Sequence, residues 1–260
     1  MGSIAWCLVT LGRPKIVERA ALNVFQTELI SELCWVDNGS TPEDYARLSD
    51  VLTSLAHEYS ARLVRCRYEE NRGTAFGHNR AYALSSSKRL FANAGDIEMP
   101  EGGLLDMTDV LSKDDHRVNV SLWCYSASSV PERFFGDEFV ETLPSGRKVT
   151  LRPAMPMGPR LFRRSLLSIA GWIHEGFGLC EWDDVEWSSR VKERCLRYGL
   201  QSLAITSAVS NHIPNTVQED LSYRKMKASE AEDPKKPELI ERLAAAGFPS
   251  FDPWGPNEVS

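Results

Sequence analysis

The sequence lacks long apolar runs and has no excess of basic charge. It contains 30 Lys and Arg residues against 36 Asp and Glu, a formal net charge of −6, so no general attraction to nucleic acid or anionic membranes is expected. No stretch approaches the roughly 20 apolar residues that a membrane-spanning helix needs, and no signal-peptide pattern opens the chain. These absences predict a soluble, cytoplasmic protein without a transmembrane segment.

Closely spaced cysteines and the common phosphate-binding glycine motifs are also missing. The six cysteines are far apart, with no C-x-x-C pair, so reduced core thiols are expected rather than disulfides or a zinc site. No G-x-G-x-x-G follows the first predicted strand, and no G-x-x-x-x-G-K-[ST] is present. A Rossmann dehydrogenase and a P-loop enzyme would therefore lack their phosphate-binding loop.

What the first hundred residues do contain is a regular alternation of short apolar runs and amphipathic stretches. Strands are predicted at 4–10, 33–36, 63–67 and 89–93, with helices at 16–25, from 42 onward, and at 75–84. This alternation predicts an α/β fold, with helices packed on a mostly parallel central sheet in three layers. Ligands of such sheets bind beyond the carboxyl ends of the strands.

The pattern becomes mixed after about residue 100. A strand is predicted at 118–125, and glycine and proline interrupt 136–159. A helix is predicted at 183–198, with Gly199 as its C-cap, followed by a last strand at 202–206. The polar stretch at 228–236 reads as a solvated linker to a short helix at 239–246.

Four segments place polar residues where a ligand would bind. They read V-D-N-G-S-T at 36–41, N-R-G-T-A-F-G-H-N-R at 71–80, D-I-E at 96–98, and W-D-D-V-E at 182–186 with a glycine-containing stretch before it at 163–178. Two carboxylates at i and i+2 in a turn can converge on one hard cation. Taken singly, each segment also fits an ordinary turn, helix cap or exposed acidic loop.

In this order, the four segments resemble the motifs of family 2 glycosyltransferases, which have the GT-A fold. The resemblance covers roughly residues 1–212. It implies a metal-dependent, inverting enzyme that moves a sugar, typically a hexose, from a nucleoside-diphosphate donor to an acceptor. A UDP-sugar is the favoured donor. It implies a nucleotide-sugar-binding half at 1–100, an acceptor-binding half of the same domain at 101–226, and a C-terminal tail at 227–260.

The resemblance also assigns roles to individual residues. The implied donor-binding residues are Thr10, Leu11, Arg13, Asp37, Asn38, Asn71, Gly73, Asn79, Arg80 and Asp96. Mn²⁺ or Mg²⁺ is the implied cofactor, with Asp96, Glu98 and His212 as its ligands. Asp184 aligns with the catalytic base of inverting members, and Asp183 would orient the acceptor. Glu98 replaces the usual final Asp, and His174 stands where the family prefers Asp and receives no role.

Within this assignment, Asp37 accepts a hydrogen bond from the base of the donor. Gly73 allows a sharp turn, after which the start of the next helix offers free N–H groups near a phosphate. Arg72 or Arg80 would offset the charge of the diphosphate.

Two other functions stay open. A nucleotidyltransferase would share the sheet and the metal, and the sequence L-G-R-P-K at 11–15 weakly resembles its first loop. The second is a GT-A domain that binds nucleotide without turnover. It is favoured only by the presence of Glu98 in place of the usual final Asp of the motif at 96–98. The acceptor is not identified: a saccharide, a protein, a small molecule or a modified DNA base would each fit. Nucleic acid is expected only as an acceptor, in a basic channel formed by Arg133, Arg147, Lys148, Arg152, Arg160, Arg163 and Arg164.

Overall fold

The computed structural model describes residues 3–124, 136–154, 158–179 and 183–213. The strands in these ranges are β1 Ile4–Thr10, β2 Ile30–Asn38, β3 Arg62–Tyr68, β4 Arg89–Ala92, β5 Ile97–Glu98, β6 Arg117–Cys124, β7 Phe139–Thr142, β8 Lys148–Pro153, β9 Arg160–Arg163 and β10 Gln201–His212. The helices are α1 Pro14–Phe25, α2 Pro42–Glu58, α3 Thr74–Leu84, α4 Gly103–Ser112, α5 Ser165–Ala170 and α6 Asp183–Tyr198, with a 3-10 helix at Glu175–Phe177.

The strands form one sheet in the order β3-β2-β1-β4-β9-β6-β10-β8-β7, and β5 pairs with the end of β10. Strands β1 to β4 run parallel, and β6 and β10 also pair in parallel. Strand β9 is antiparallel to both of its neighbours. The predicted mostly parallel sheet is confirmed.

Alternating residues of β1 show how the sheet is covered on both faces. Ile4, Trp6 and Leu8 pack into one core cluster with residues of α1, α2 and α4. Ala5 and Cys7 point the other way, into a second cluster with residues of α3, α5 and α6. Because successive strand side chains point to opposite faces, fully buried residues in a row require a helix layer on each side. The three-layer arrangement is therefore confirmed.

The strand order creates a crevice between β1 and β4. After β1 the chain continues through β2 to β3 on one side, and β4 then pairs with the opposite side of β1. The turns that follow β1 and β4 therefore leave the sheet in opposite directions, which is the arrangement at which open α/β sheets bind ligands.

The predicted ends of helices are most accurate where the sequence contains a capping residue. Helix α6 has the predicted bounds, and Gly199 follows it with φ +65°. Thr41 caps α2, since its Oγ1 accepts a hydrogen bond from the Asp44 N–H at 3.2 Å. Several elements differ from the prediction. Strand β10 has 12 residues instead of the five predicted, and the elements that were not predicted are α4, α5, β5, β7, β8 and β9.

The four cysteines whose side chains can be assessed, Cys7, Cys34, Cys66 and Cys195, are free thiols, as predicted. Across the ranges given above, no helix is both long enough and apolar enough to cross a membrane. The cytoplasmic location and the division of the chain at residues 100 and 226 stay predictions. The linker and helix predicted at 228–246 lie outside the described residues.

Candidate functional site

A row of polar residues crosses three neighbouring strands at their carboxyl ends. The parallel register places Thr10 of β1 beside Asp37 of β2, and Asp37 beside Arg67 of β3. Asp37 is fully buried. Its Oδ1 accepts hydrogen bonds from the Thr10 hydroxyl at 3.2 Å and from the Ser40 hydroxyl. The indole of Trp35 donates in turn to Thr10 at 2.9 Å, so the position of Asp37 is fixed from several sides.

The other carboxylate oxygen of Asp37 is left without a partner. Asp37 Oδ2 is buried and accepts no hydrogen bond from any described residue, and the Nε of Arg67 lies 3.7 Å away. Burial raises the pKa of Asp37 above its ordinary value. An unsatisfied buried acceptor costs about 1–3 kcal/mol, so this oxygen is suited to an N–H group of a ligand.

The turn after β1 connects the Asp37 cluster to the crevice. The N–H of Gly12 donates to the Ser40 hydroxyl at 2.7 Å, with Leu11 partly buried beside it. Arg13 follows in the left-handed region at φ 58°, a backbone conformation that disfavours residues other than glycine. Its guanidinium donates to Asp96 at 3.0 Å, across the crevice between β1 and β4.

Asp96 is brought together with His212 but not with Glu98. The Ile213 N–H donates to the Asp96 carbonyl at 2.8 Å, which places the end of β10 beside this turn. His212 Nδ1 lies 3.9 Å from Asp96 Oδ1. Glu98 instead forms two hydrogen bonds to the Arg19 guanidinium, at 2.9 and 2.7 Å.

This arrangement tests the predicted metal ligands. Two ligands that each lie about 2.1 Å from Mg²⁺ can be at most about 4.2 Å apart, so Asp96 and His212 fit one cation. Glu98 does not fit it here, because both of its oxygens already bind Arg19 on α1. Within the described ranges, no three His, Cys, Asp or Glu side chains are grouped as a metal site. The three-residue ligand set stays a prediction.

Asn38, Asn71 and Gly73 form one hydrogen-bonded turn beside Asp37. The Asn38 amide donates to Asn71 Oδ1 and to the Gly73 carbonyl, both at 3.0 Å. The N–H groups of Arg72 and Gly73 donate to Asn38 Oδ1 at 3.2 Å and Asn71 Oδ1 at 3.0 Å. The structure therefore brings these three predicted residues together.

The start of α3 differs from the prediction of free N–H groups. The N–H groups of Arg72 and Gly73 are used within the turn, and Thr74 donates to the Leu179 carbonyl through both its N–H, at 3.0 Å, and its hydroxyl, at 3.1 Å. Gly73 has φ +96°, and a Cβ there would collide with the carbonyl oxygen of Gly178. The segment that precedes α6 thus already covers this helix start.

Asn79 and Arg80, predicted to bind the donor, are buried under the same segment. Asn79 exchanges hydrogen bonds with the backbone of Ile173, at 2.8 and 3.0 Å, and donates to Glu175 at 3.0 Å. Arg80 is 1% exposed, contacts Glu175 at 3.5 Å and lies over the Phe76 ring. In this structure both residues hold the segment at 173–175, and their role in binding the donor stays a prediction. Arg72 is exposed and lies 4.0 Å from the centre of the Phe76 ring.

The two acidic residues at the start of α6 differ in environment. Asp183 is 4% exposed, whereas Asp184 is exposed. Burial, together with the charge of Asp184, raises the pKa of Asp183 to about 7. The carboxyl group of Asp183 is therefore partly protonated near neutral pH, while the side chain of Asp184 faces solvent.

Several side chains of the predicted basic channel are engaged within the fold. Arg163 and Arg164 donate to backbone carbonyls, Arg160 is buried over Trp187, and Arg147 pairs with Asp106. The channel stays a prediction. Arg133 lies outside the described residues.

Sequence reasoning missed two residues of the Asp37 cluster. Ser40 bridges Asp37 to the turn after β1, and Arg67 is the nearest cation to the unpartnered oxygen. Arg67 could have been found by aligning the ends of neighbouring parallel strands, because that alignment puts it beside Asp37. Ser40 carried no signal beyond its place in the turn.

No protein-family model and no curated protein matches the sequence. Solved structures do match. The mannosyltransferase PcManGT from Pyrobaculum calidifontis, in complex with GDP-Man and Mn²⁺, has a TM-score of 0.62 at 15% identity, over 98% of this chain and 67% of that chain. GalNAc-T7 with UDP, GalNAc and Mn²⁺ has a TM-score of 0.61 at 12% identity, over 84% and 44%. S. aureus TarS has a TM-score of 0.63 at 13% identity, over 94% and 39%.

This chain thus spans less than half the length of GalNAc-T7 and of TarS. At such low identities the likeness concerns the fold, and membership of family 2 stays a prediction. The protein has the GT-A fold of nucleotide-diphospho-sugar transferases.

Proposed function

We propose that this protein is a glycosyltransferase that moves a sugar from a nucleoside-diphosphate donor, a UDP-sugar in the favoured case, to an acceptor hydroxyl. The observation that carries the proposal is the buried, unpartnered Oδ2 of Asp37 at the carboxyl end of β2. Two of the similar solved structures contain UDP or GDP-Man, which supports the same class of donor here.

In this proposal, Asp37 Oδ2 accepts an N–H of the base. The ring N–H next to the carbonyl groups of uracil is a donor of the kind that this oxygen lacks. The Asn38–Asn71–Gly73 turn, which is already fixed by its own hydrogen bonds, lies beside the base and limits its orientation.

Asp96 and His212 would hold a divalent cation, and Mn²⁺ in two of the neighbours supports this choice. When bound, the cation would neutralise the charge of the departing diphosphate. Arg13, which lies 3.0 Å from Asp96, would add positive charge on the same side of the crevice.

The proposed transfer is a single displacement that inverts the anomeric carbon. The acceptor oxygen bonds to that carbon while its bond to the diphosphate oxygen breaks on the opposite face. The proton of the acceptor hydroxyl passes to Asp184, which is exposed at the start of α6. Asp183 beside it has a pKa raised to about 7, so it is partly protonated near neutral pH and adds less negative charge to the helix start.

The test begins with binding. The protein is melted with UDP, GDP or TDP, each with Mn²⁺, and the wild type is compared with Asp37→Asn and with the matched control Asp50→Asn on the exposed side of α2. A ligand at 100 times its dissociation constant stabilises the fold by about 2.7 kcal/mol, which raises the melting temperature by several degrees. The proposal fails if none of the nucleotides raises it.

The pairing of Glu98 with Arg19 favours one alternative, a domain that binds nucleotide without turnover. A nucleotide-sugar screen for hydrolysis or transfer separates the two. Binding of a nucleotide-sugar with no turnover, across saccharide, protein and DNA acceptors, would favour the non-catalytic domain.

A further inference from the structure

A cavity of about 720 Å³ opens at the amino ends of β1 and β4, at the opposite edge of the sheet from Asp37 and Asp96. Four basic residues line it: Lys88, Arg89, Arg163 and Arg164. Four serines, among them Ser165 and Ser168, complete the lining. Among the residues that the structure describes, no acidic side chain lines it. The proposed donor site uses none of these residues.

Two of the arginines face each other directly. Arg89 is the first residue of β4, and the antiparallel register pairs it with Arg163, the last residue of β9. Directly opposite residues of an antiparallel pair lie on the same face of the sheet, and like charges in such a pair are destabilising. The pair is therefore better accommodated with an anion between or beside the two guanidinium groups.

Arg89 also has a buried donor with no acceptor. Its Nη1 is buried and makes no hydrogen bond in the part of the chain that the structure describes. Burial, followed by the charge of Arg163, lowers the pKa of Arg89 below its ordinary value. A buried charged donor without an acceptor is as unfavourable as the unpartnered oxygen of Asp37, and it calls for a negatively charged ligand.

The other basic side chains of the cavity are held in place by neutral groups. Arg164 donates to the carbonyls of Ser87, Tyr82 and Ser85 at 2.8, 3.1 and 2.7 Å. These bonds fix the guanidinium without cancelling its charge. Arg163 likewise donates to backbone carbonyls, and its one carboxylate partner, Asp115, is almost fully exposed, where an ion pair contributes little.

A buried carboxylate beside the cavity, that of Glu32, already has its own hydrogen-bond and ion-pair partners. Glu32 accepts hydrogen bonds from the hydroxyls of Ser85 and Ser87, at 2.7 and 3.0 Å, and from Ser86, and it also pairs with Arg62. Its charge is therefore balanced by its own partners and does not neutralise the cavity.

We propose that this cavity is a second binding site, which takes the phosphate group of a small molecule. Guanidinium groups with free donors and serine hydroxyls are the side chains that bind phosphate oxygens. The cavity volume lies within the 300–1,000 Å³ that small-molecule sites typically have, so a phosphomonoester with an attached small group fits as well as free phosphate. The site is independent of the proposed transferase activity.

The test measures melting temperature without any nucleotide, at constant ionic strength set with chloride. Inorganic phosphate and glucose 6-phosphate are titrated separately into the wild type. Each is expected to raise the melting temperature by a few degrees when it saturates the site. A lower half-saturating concentration for the ester identifies phosphomonoesters as the ligand, and equal concentrations identify free phosphate.

Three variants locate the effect. Arg89→Gln is expected to remove the phosphate-dependent rise, and Lys88→Gln, which changes an exposed side chain and keeps the fold, is expected to weaken binding several-fold. Arg47→Gln, a matched change of an exposed arginine on α2, and Asp37→Asn in the donor site are expected to keep the full rise. The proposal is overturned if phosphate gives no rise over chloride, or if Lys88→Gln and Arg89→Gln bind phosphate as the wild type does.

Discussion

The two ends of the central sheet gather different side chains. At the carboxyl ends of the strands lie Asp37, Asp96 and the start of α6 with Asp183, whereas Lys88, Arg89, Arg163 and Arg164 surround the cavity at the amino ends. Both ends contain a buried polar atom without a partner, an acceptor on Asp37 and a donor on Arg89. The two unpartnered atoms thus require ligand groups of opposite kinds.

If both proposed sites are correct, this difference predicts that the first needs a cation and the second does not. A diphosphate brought beside Asp96 meets negative charge, so binding there depends on positive charge from Arg13 and from a metal. A phosphate brought beside Arg89 and Arg163 meets uncompensated positive charge and needs no metal. The comparison can be tested by removing single charges at each end.

The largest effect is expected at the start of α6. Asp184→Asn keeps the shape of the side chain but cannot take the acceptor proton, so turnover is expected to fall by about 10²–10⁴. The measurement is the rate of sugar transfer at saturating donor, once a donor is known. Donor affinity should stay nearly unchanged, and Asp50→Asn should keep both. Near wild-type turnover in Asp184→Asn, or retained anomeric configuration in the product, would rule out Asp184 as the base.

The next effect is the free-energy cost of burying the carboxyl group of Asp183 beside Asp184. The pKa of Asp183 is raised to about 7 in the folded protein, so the folded state binds a proton that the unfolded chain releases near pH 4. Stability is therefore lost as the pH rises from about 4 to 7. Asp183→Asn removes this loss and should stabilise the protein by on the order of 3–4 kcal/mol at pH 8.

At pH 5 the same substitution should stabilise the protein by less than half as much. Urea unfolding at the two pH values measures both numbers, with Asp50→Asn as the control. A gain that does not change with pH would show that Asp183 is ionised in the folded protein.

A smaller effect is expected at Asp37. In Asp37→Asn, one oxygen that accepts from the base is replaced by an amide group, at a loss of about 1–3 kcal/mol. This loss corresponds to roughly a 5- to 150-fold rise in the dissociation constant of the nucleotide. Calorimetric titration with UDP and Mn²⁺ measures it. An unchanged dissociation constant would mean that the base binds elsewhere.

The smallest effect concerns the amino end. Replacing Arg89 by Gln removes the repulsion from Arg163 across the strand pair, which is worth about 0.2–1 kcal/mol. In chloride buffer without phosphate, Arg89→Gln is therefore expected to unfold at an equal or slightly higher urea concentration than the wild type. A clear loss of stability would show that the two arginines do not repel each other there.

The sequence predicted the architecture of this fold better than it predicted the site. The strands and helices of the first half have strong apolar periodicity. The alternation of strands with helices was enough to predict a parallel sheet. Helix α4 was missed because it begins with Gly102 and Gly103 and buries two polar residues, Asp106 and Thr108, which weaken its apolar pattern.

Asn79 and Arg80 show why the site was harder to predict. Their positions in a motif suggested contact with the diphosphate, but most of α3 is buried, so the helix has no polar face from which exposure can be read. Their partners within the fold, Ile173 and Glu175, lie more than 90 residues away in the sequence. Only the tertiary structure reveals that contact.

Strand β10 determines which way His212 points. Three residues, 206–208, separate Ile205 and Val209, which pair with consecutive residues of β6. Because side chains alternate between the two faces of a strand, the number of residues in this bulge determines the face to which each later side chain of β10 points. Deleting one residue from 206–208 should turn His212 away from Asp96, and deleting two should bring it back. If His212 is the proposed metal ligand, the length of this bulge matters to the site as much as the identity of the residue does.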